Sequence, residues 1–239
     1  MLTIHNKHVI VFDLDETLGF FQNFGLFYYT LQNYMQQPIT FQIFCDILDL
    51  YPELLRPKIF SIIKYILDVK EEYNVTIMIY TNNQGPREWV QLIKRYFEYK
   101  LNQPIFSKII FAFMINGRVI EPKRTTHNKT YKDLLRTTRL PKEAKICFID
   151  DVYYDEMNDE NVYYLHIEPY VSSLHYTTMV ERLVKSKLLG TINQKYLMKN
   201  MSNAFENIVF HKKTQKDYDM DIIIGKKIMM CLQEFFLEF

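Results

Sequence analysis

The chain has 239 residues, a net charge of +1 and three cysteines, and these totals exclude several classes of protein. A near-neutral chain lacks the overall positive charge that attracts nucleic acid, so only a local basic patch stays open. Cys45, Cys147 and Cys231 have no paired spacing, which argues against a disulfide framework and favours a reducing compartment. No run approaches the roughly 18 to 20 apolar residues that span a bilayer, and Asp13 comes too early for a secretory leader. We therefore expect an intracellular protein, cytoplasmic or nuclear, with no membrane partner.

Short apolar runs alternate with segments of helical spacing along the first two thirds of the chain. Apolar side chains recur at i, i+3, i+4 and i+7 over residues 59–67 and again over residues 89–97, which predicts helices. Strands that alternate with helices indicate a parallel sheet. We predict an α/β fold, a Rossmann-like doubly wound parallel sheet flanked by helices. The predicted strands are residues 9–12, 75–80, 109–113, 145–149 and 162–167.

Two segments interrupt this alternation within a predicted core of residues 1–170. Residues 18–56 are rich in aromatic residues and Gln, and we expect an insertion that lies over the active edge of the sheet. Residues 101–131 form a second irregular stretch, in which Asn116-Gly117 is a typical hairpin turn.

Residues 171–239 form a predicted helical extension packed on the core. Helices are expected over residues 174–189 and 219–238, and the polar run 212–217 is expected to be a loop between helices. One apolar stripe in the last helix is explained equally well by burial against the core or by a homodimer, so both interpretations stay open. The stripe consists of Ile224, Ile228, Leu232, Phe235 and Phe239.

The strongest chemical signal follows the first predicted strand directly. In extended backbone, Asp13 and Asp15 point to the same side while Leu14 points to the core. Sites in open α/β sheets form beyond the carboxyl ends of the strands. Two carboxylates there would repel each other unless a cation such as Mg²⁺ joined them. The alternative is a solvated acidic turn, but the preceding apolar strand favours a site.

Two further strands end in polar residues. Thr81, Asn82 and Asn83 follow the second strand, where a hydroxyl and backbone N–H groups can hold phosphate oxygens. Thr81 can instead simply cap the helix that begins near Pro86. Asp150 and Asp151 close the fourth strand. Adjacent buried acids are costly without a cation, although two loop carboxylates are the simpler interpretation.

A basic cluster lies between the third and fourth strands. One of its lysines, placed near a phosphate, would neutralise the charge that develops during transfer of a phosphoryl group. The spacing alone does not select that lysine, and we expect most of the cluster to be exposed. The cluster consists of Lys123, Arg124, Lys129 and Lys132.

These signals, in this order, resemble the haloacid dehalogenase superfamily of phosphatases. The sequence most resembles the branch of the RNA polymerase II C-terminal-domain phosphatases and small CTD phosphatases, over roughly residues 8–170. Residues 13–18 resemble its D-x-D-x-T-L signature, and Leu55-Arg56-Pro57 resembles its R-P-G segment with Lys58 in place of the glycine. Residues 79–81 resemble its F-T-A or Y-T-A motif, with Asn82 in place of the small residue. Residues 131–134 resemble its Y-x-K-D-L segment, and residues 149–151 resemble its I-D-D or L-D-N motif.

The resemblance implies an enzyme, a Mg²⁺-dependent phosphoric monoester hydrolase. It implies that Asp13 attacks phosphorus to form an aspartyl-phosphate and that Asp15 protonates the leaving group. It also selects Lys132 from the basic cluster. The residues that it implies for binding the phosphoryl oxygens are Thr81, Asn82 and Lys132.

The resemblance further implies a metal site and a substrate class. The metal ligands would be Asp13, Asp15 (through its backbone carbonyl), Asp150 and Asp151. The first choice of substrate is a phosphoserine or phosphothreonine in a protein. A nucleic-acid 3′-phosphate, a nucleotide and a small metabolite are the alternatives, although the net charge does not indicate nucleic acid.

Two other classes of protein are alternatives to a hydrolase. A non-catalytic binding module of the same fold should show loss of the acidic motifs, yet all of them are present. A cysteine-based phosphatase needs an Arg six positions after its Cys, but Tyr51 follows Cys45 and Tyr153 follows Cys147 at that spacing.

Overall fold

Five parallel strands form the central sheet in the computed structural model of the protein, which describes residues 7–238. Two further short strands pair as an antiparallel hairpin outside that sheet. The apolar strand β1 is buried along its whole length, because helices cover both faces of the sheet. The strands are β1 (His8–Phe12), β2 (Val75–Tyr80), β3 (Phe106–Ile110), β4 (Met114–Ile115), β5 (Arg118–Val119), β6 (Lys145–Asp150) and β7 (Val162–His166).

The strand order in the central sheet is β3-β2-β1-β6-β7, and every neighbouring pair is parallel. The chain builds one half of the sheet outwards from β1 to β3 and then returns to build the other half from β6. The order therefore reverses between β1 and β6, where doubly wound sheets open a crevice for ligands. The predicted fold class is confirmed.

Eight α-helices and two short 3₁₀ turns surround the sheet within residues 7–238. None of these helices combines the length and the apolar character needed to cross a lipid bilayer. The 3₁₀ turns are Pro52–Leu54 and Asp155–Met157. The helices are α1 (Phe21–Met35), α2 (Phe41–Asp49), α3 (Ile59–Asp68), α4 (Arg87–Lys100), α5 (Tyr131–Thr138), α6 (Tyr176–Ser186), α7 (Gln194–Ala204) and α8 (Gln215–Glu238).

The two segments expected as insertions have regular structure of their own. Residues 18–56 form α1, α2 and a 3₁₀ turn, and their aromatic rings pack together with Trp89 of α4. Residues 101–131 contain β3 and the β4–β5 hairpin. Asn116 and Gly117 have φ values of 49° and 76°, so the predicted hairpin turn is confirmed.

The C-terminal extension consists of α6, α7 and α8. Helix α7 was not predicted, and α8 begins at Gln215, so the loop predicted over residues 212–217 is wrong in its second half. The apolar stripe of α8 packs on the core, with Leu232 and Phe235 fully buried. Its predicted last member, Phe239, lies outside the described residues.

Helix α8 lies close to the segment before α3 at Gly225. A Cβ atom built there would lie 2.6 Å from the carbonyl oxygen of Pro57, which is closer than real Cβ contacts allow. The absence of a side chain thus lets the helix backbone rest against the segment that precedes α3.

Leu232→Ala should lower the free energy of unfolding by about 2–5 kcal/mol, because it opens a cavity under α8. The matched control is Leu237→Ala on the same helix. Leu232 is 0% exposed and Leu237 is 81% exposed, so the control should change stability by less than about 0.5 kcal/mol. Denaturant unfolding of both variants measures the difference, and equal effects would show that α8 does not pack on the core.

Candidate active site

The acids that follow β1 and β6 meet at the crevice between the two halves of the sheet. Phe12 pairs with Ile149 in the parallel register, and the backbone N–H of Asp13 donates to the Ile149 carbonyl at 2.9 Å. This register brings Asp13 beside the end of β6. One carboxylate oxygen from each of three acids lies within 4.8 Å of the others: Asp13, Asp150 and Asp151.

Lys129 lies between two of these acids. Its Nζ is 2.6 Å from Oδ2 of Asp150 and also donates to Oδ1 of Asp13. The lysine is only 1% exposed. The aromatic rings of Tyr80 and Tyr154 lie 5.8 and 5.5 Å from Nζ. A charged lysine in such a position is stable only with anionic partners, so the ion pairs hold it in the site.

The electrostatics of the site depend on the balance between burial and charge. Burial lowers the pKa of Lys129, but the carboxylates of Asp13 and Asp150 raise it more, and the lysine stays charged. Burial raises the pKa of Asp13 well above its usual range and also raises that of Asp150, while Lys129 opposes both shifts. The single positive charge of Lys129 does not balance the negative charges of the acids around it. A further positive charge would therefore favour the ionised forms of these acids.

The structure places Lys129, not the predicted Lys132, in the site. Thr130 caps α5 by accepting a hydrogen bond from the N–H of Asp133 at 3.0 Å, so the helix proper begins at Tyr131. Lys129 precedes the cap and reaches the ends of the strands. Lys132 lies within the first turn on the exposed face of α5, and the selection of Lys132 from the resemblance is therefore wrong.

Arg124 fixes the loop that carries Lys129. Its guanidinium donates to the carbonyl oxygens of Phe111, His127 and Asn128 at 2.8, 2.9 and 3.1 Å. Arg124 itself is buried and lies over the ring of Tyr80. Two of the four basic residues of the predicted cluster are thus buried, whereas we expected most of them to be exposed.

Asp15 is held by Asn83, a contact that the sequence did not indicate. Nδ2 of Asn83 donates to Oδ2 of Asp15 at 2.6 Å, and Oδ1 of Asn83 accepts from the N–H of Gly85 at 2.9 Å. Burial raises the pKa of Asp15, and the hydrogen bond from Asn83 opposes that shift. A raised pKa shifts a carboxyl towards its protonated form, which is the form that a general acid uses.

Thr81 and Asn82 lie where the sequence predicted. Both line a cavity of about 260 Å³ together with Asp13, Asp15 and Lys129. The buried Thr81 accepts a hydrogen bond through Oγ1 from the N–H of Asn83 at 3.0 Å. Asn82 donates through Nδ2 to the hydroxyl of Tyr154 at 3.0 Å.

The turn after β1 is fixed by a buried arginine. Arg56 donates to the carbonyl oxygens of Thr17, Glu16 and Glu168 at 2.6, 2.5 and 2.8 Å. Glu16 has a φ of 61°, a conformation that costs energy in a residue with a side chain, and the hydrogen bond to its carbonyl supports it. The resemblance included Arg56 in a motif, but only the structure shows this role.

The acids of the site form a group of oxygen ligands that could hold a metal ion. Hard carboxylate oxygens from Asp13, Asp150 and Asp151 are close enough to share one ion. The hydroxyl of Thr17 orients Asp151 by donating to its Oδ1 at 2.9 Å. Asp15 is predicted as a ligand through its backbone carbonyl, and that prediction stays open because the group consists of carboxylate oxygens only; the carboxylate of Asp15 contacts Asn83. Its buried Oδ1 has no hydrogen-bond partner within residues 7–238.

Comparison of the chain with known protein families, with curated proteins and with solved structures gives no match in any of the three.

Lys129→Met should lower the free energy of unfolding at neutral pH by about 3–5 kcal/mol, because it leaves two carboxylates buried without their cation. The carboxylates of Asp13 and Asp150 would then have higher pKa values in the folded than in the unfolded state. The folded variant binds more protons, so its stability should rise as the pH falls towards the unfolded pKa.

Denaturant unfolding without added metal, at a series of pH values, measures this loss. Lys132→Met is the matched control, and it should change stability by less than about 0.5 kcal/mol because Lys132 is exposed. Equal losses in the two variants, or a loss from Lys129→Met that does not depend on pH, would contradict the assignment of Lys129.

Proposed function

We propose that the protein is a Mg²⁺-dependent phosphomonoester hydrolase that acts through an aspartyl-phosphate on Asp13. The observation that carries the proposal is the placement of two acids with different surroundings in one cavity. Asp13 lies beside Lys129 and within reach of a shared metal site, whereas Asp15 is held by Asn83. A nucleophile and a general acid need this division of roles.

In the first step, a carboxylate oxygen of Asp13 attacks phosphorus and the bond from phosphorus to the leaving oxygen breaks. Asp15 gives its proton to that oxygen, so the alcohol leaves uncharged. Lys129, together with the hydroxyl of Thr81 and the backbone N–H of Asn82, would contact the phosphoryl oxygens. These donors are fixed before the reaction, which is the condition for electrostatic stabilisation of the transition state.

In the second step, Asp15 takes a proton from water, and the water oxygen attacks phosphorus. The bond from phosphorus to Asp13 breaks and inorganic phosphate leaves. Both side chains then return to their starting states. When bound by Asp13, Asp150 and Asp151, Mg²⁺ would supply the positive charge that lets an anionic carboxylate approach an anionic phosphate.

A phosphorylated protein is the substrate class that we put first, on the resemblance of the motifs. The site offers limited support for nucleic acid, because Lys129 is the only basic residue among the described residues that line its cavity. A nucleic-acid substrate needs several cations for its neighbouring phosphates.

Asp13→Asn should lower kcat by at least about 10³-fold, because the amide cannot form the aspartyl-phosphate. Turnover should be measured on phosphopeptides, nucleotides and 3′-phosphorylated oligonucleotides, each with Mg²⁺ and with a chelator. The chelator should stop turnover in the unmodified protein. The matched control Asp219→Asn changes an exposed acid of α8 and should retain normal turnover. Near-normal turnover by folded Asp13→Asn protein would contradict the proposal.

Asp15→Asn should slow turnover of alkyl phosphates by about 10²- to 10⁴-fold, because the leaving oxygen receives no proton. Acetyl phosphate releases a carboxylate that needs no proton, so it should still phosphorylate Asp13. Loss of the second step would then trap the phosphorylated protein, which intact-protein mass spectrometry detects as one added phosphoryl group. An Asp15→Asn protein that hydrolyses alkyl phosphates at the normal rate would rule out this role for Asp15.

A further inference from the structure

A second and larger cavity adjoins the candidate active site. Its volume is about 550 Å³, and it lies between α1 and the segment that links β2 to α4. Asp15 and Asn83 line both cavities, so the two join at the proposed general acid. We call this space the α1 cavity, since Asn23 and Leu26 of that helix form one of its walls.

The walls of the α1 cavity are mainly apolar and uncharged. Leu26 and Tyr29 of α1 face Trp89 of α4, and Ile208 contributes from the C-terminal extension. Among the described residues, Asp15 is the only charged residue in the lining, and no lysine or arginine takes part. A group with a second phosphate would therefore meet no cation there, whereas an uncharged apolar group would bury its surface against the walls.

Asn23 is a buried polar residue that lines this cavity without a partner. It is only 5% exposed, and its side chain makes no hydrogen bond to any of residues 7–238. Its amide atoms are not among the fully buried atoms that lack a partner, so the amide is open to the cavity, where it can form hydrogen bonds. Its position therefore points to a ligand that supplies a hydrogen bond.

We infer that the α1 cavity binds the leaving group of the phosphate monoester, and that this group is uncharged, mainly apolar and able to hydrogen-bond to Asn23. The inference rests on the proposed function. If Asp15 protonates the leaving oxygen, that oxygen lies beside Asp15, and the rest of the leaving group extends away from Lys129. The α1 cavity is the space that adjoins Asp15 on the side of Asn83.

Two kinds of substrate carry a leaving group with this chemistry. One is a polypeptide with uncharged apolar side chains next to the phosphorylated residue, and the other is a neutral nucleoside. Each can be compared with a charged counterpart: a peptide with acidic neighbours and a nucleoside that carries a second phosphate. The unmodified protein should turn over the uncharged member of at least one pair with a kcat/KM at least about tenfold higher, and that pair identifies the source.

Asn23→Leu tests the proposed hydrogen bond. The quantity to measure is the ratio of kcat/KM for the preferred substrate to the rate of phosphorylation by acetyl phosphate, whose leaving group is too small to need the cavity. Asn23→Leu should lower this ratio by about tenfold. Asn33→Leu is the matched control, because Asn33 lies on the same helix but is exposed, and the ratio should not change. Leu26→Trp, which fills the cavity, should lower the same ratio even if Asn23→Leu does not fold.

The outcomes separate this inference from the proposed function. Failure of acetyl phosphate to phosphorylate Asp13 in the unmodified protein would overturn the proposed function. If acetyl phosphate does phosphorylate Asp13, any one of three results would overturn the inference and leave the proposed function standing. No uncharged member of either pair is turned over, charged and uncharged members react equally, or Leu26→Trp leaves the ratio of the two rates unchanged.

Discussion

The buried contact of Lys129 with Asp13 and Asp150 is the interaction on which the candidate site depends. The two acids come from strands that the chain reaches more than a hundred residues apart, and the lysine comes from the loop before α5. Without a cation, burial would drive both acids towards their neutral forms, and Asp13 would lose the charge that its proposed role as a nucleophile needs. The lysine therefore stabilises the end of the sheet and favours the ionised forms of both acids, which the proposed reaction requires of Asp13.

The surroundings of this contact are built to hold it in place. Arg124 fixes the loop of Lys129 from one side, and Arg56 fixes the turn after β1 from the other. Both arginines are buried and bind backbone carbonyl oxygens, so they act on the position of the chain and not on a substrate. A site assembled from separate strand ends needs such supports, because a shift of about 1 Å in a catalytic group can cost a large part of the rate.

The sequence predicts the parts of this molecule that depend on local pattern. Buried parallel strands read as continuous apolar runs, so the fold class and the acids at the strand ends follow from the residues. The choice between Lys129 and Lys132 depends on where α5 begins, and helix boundaries are poorly determined by pattern. The contact of Asn83 with Asp15 and the burial of Arg124 depend on tertiary packing. The helix α7 was missed because its polar residues obscure the periodic pattern, although buried Leu197 and Met201 anchor it.

Helix α8 has a consequence that reaches beyond its own packing. Its backbone rests against Pro57, and the neighbouring Arg56 holds the turn that carries Asp15 and Glu16. The C-terminal extension is thus coupled mechanically to the first acidic motif through two adjacent residues. Removal of α8 would therefore leave Pro57 without its packing partner and would weaken the support of the turn after β1.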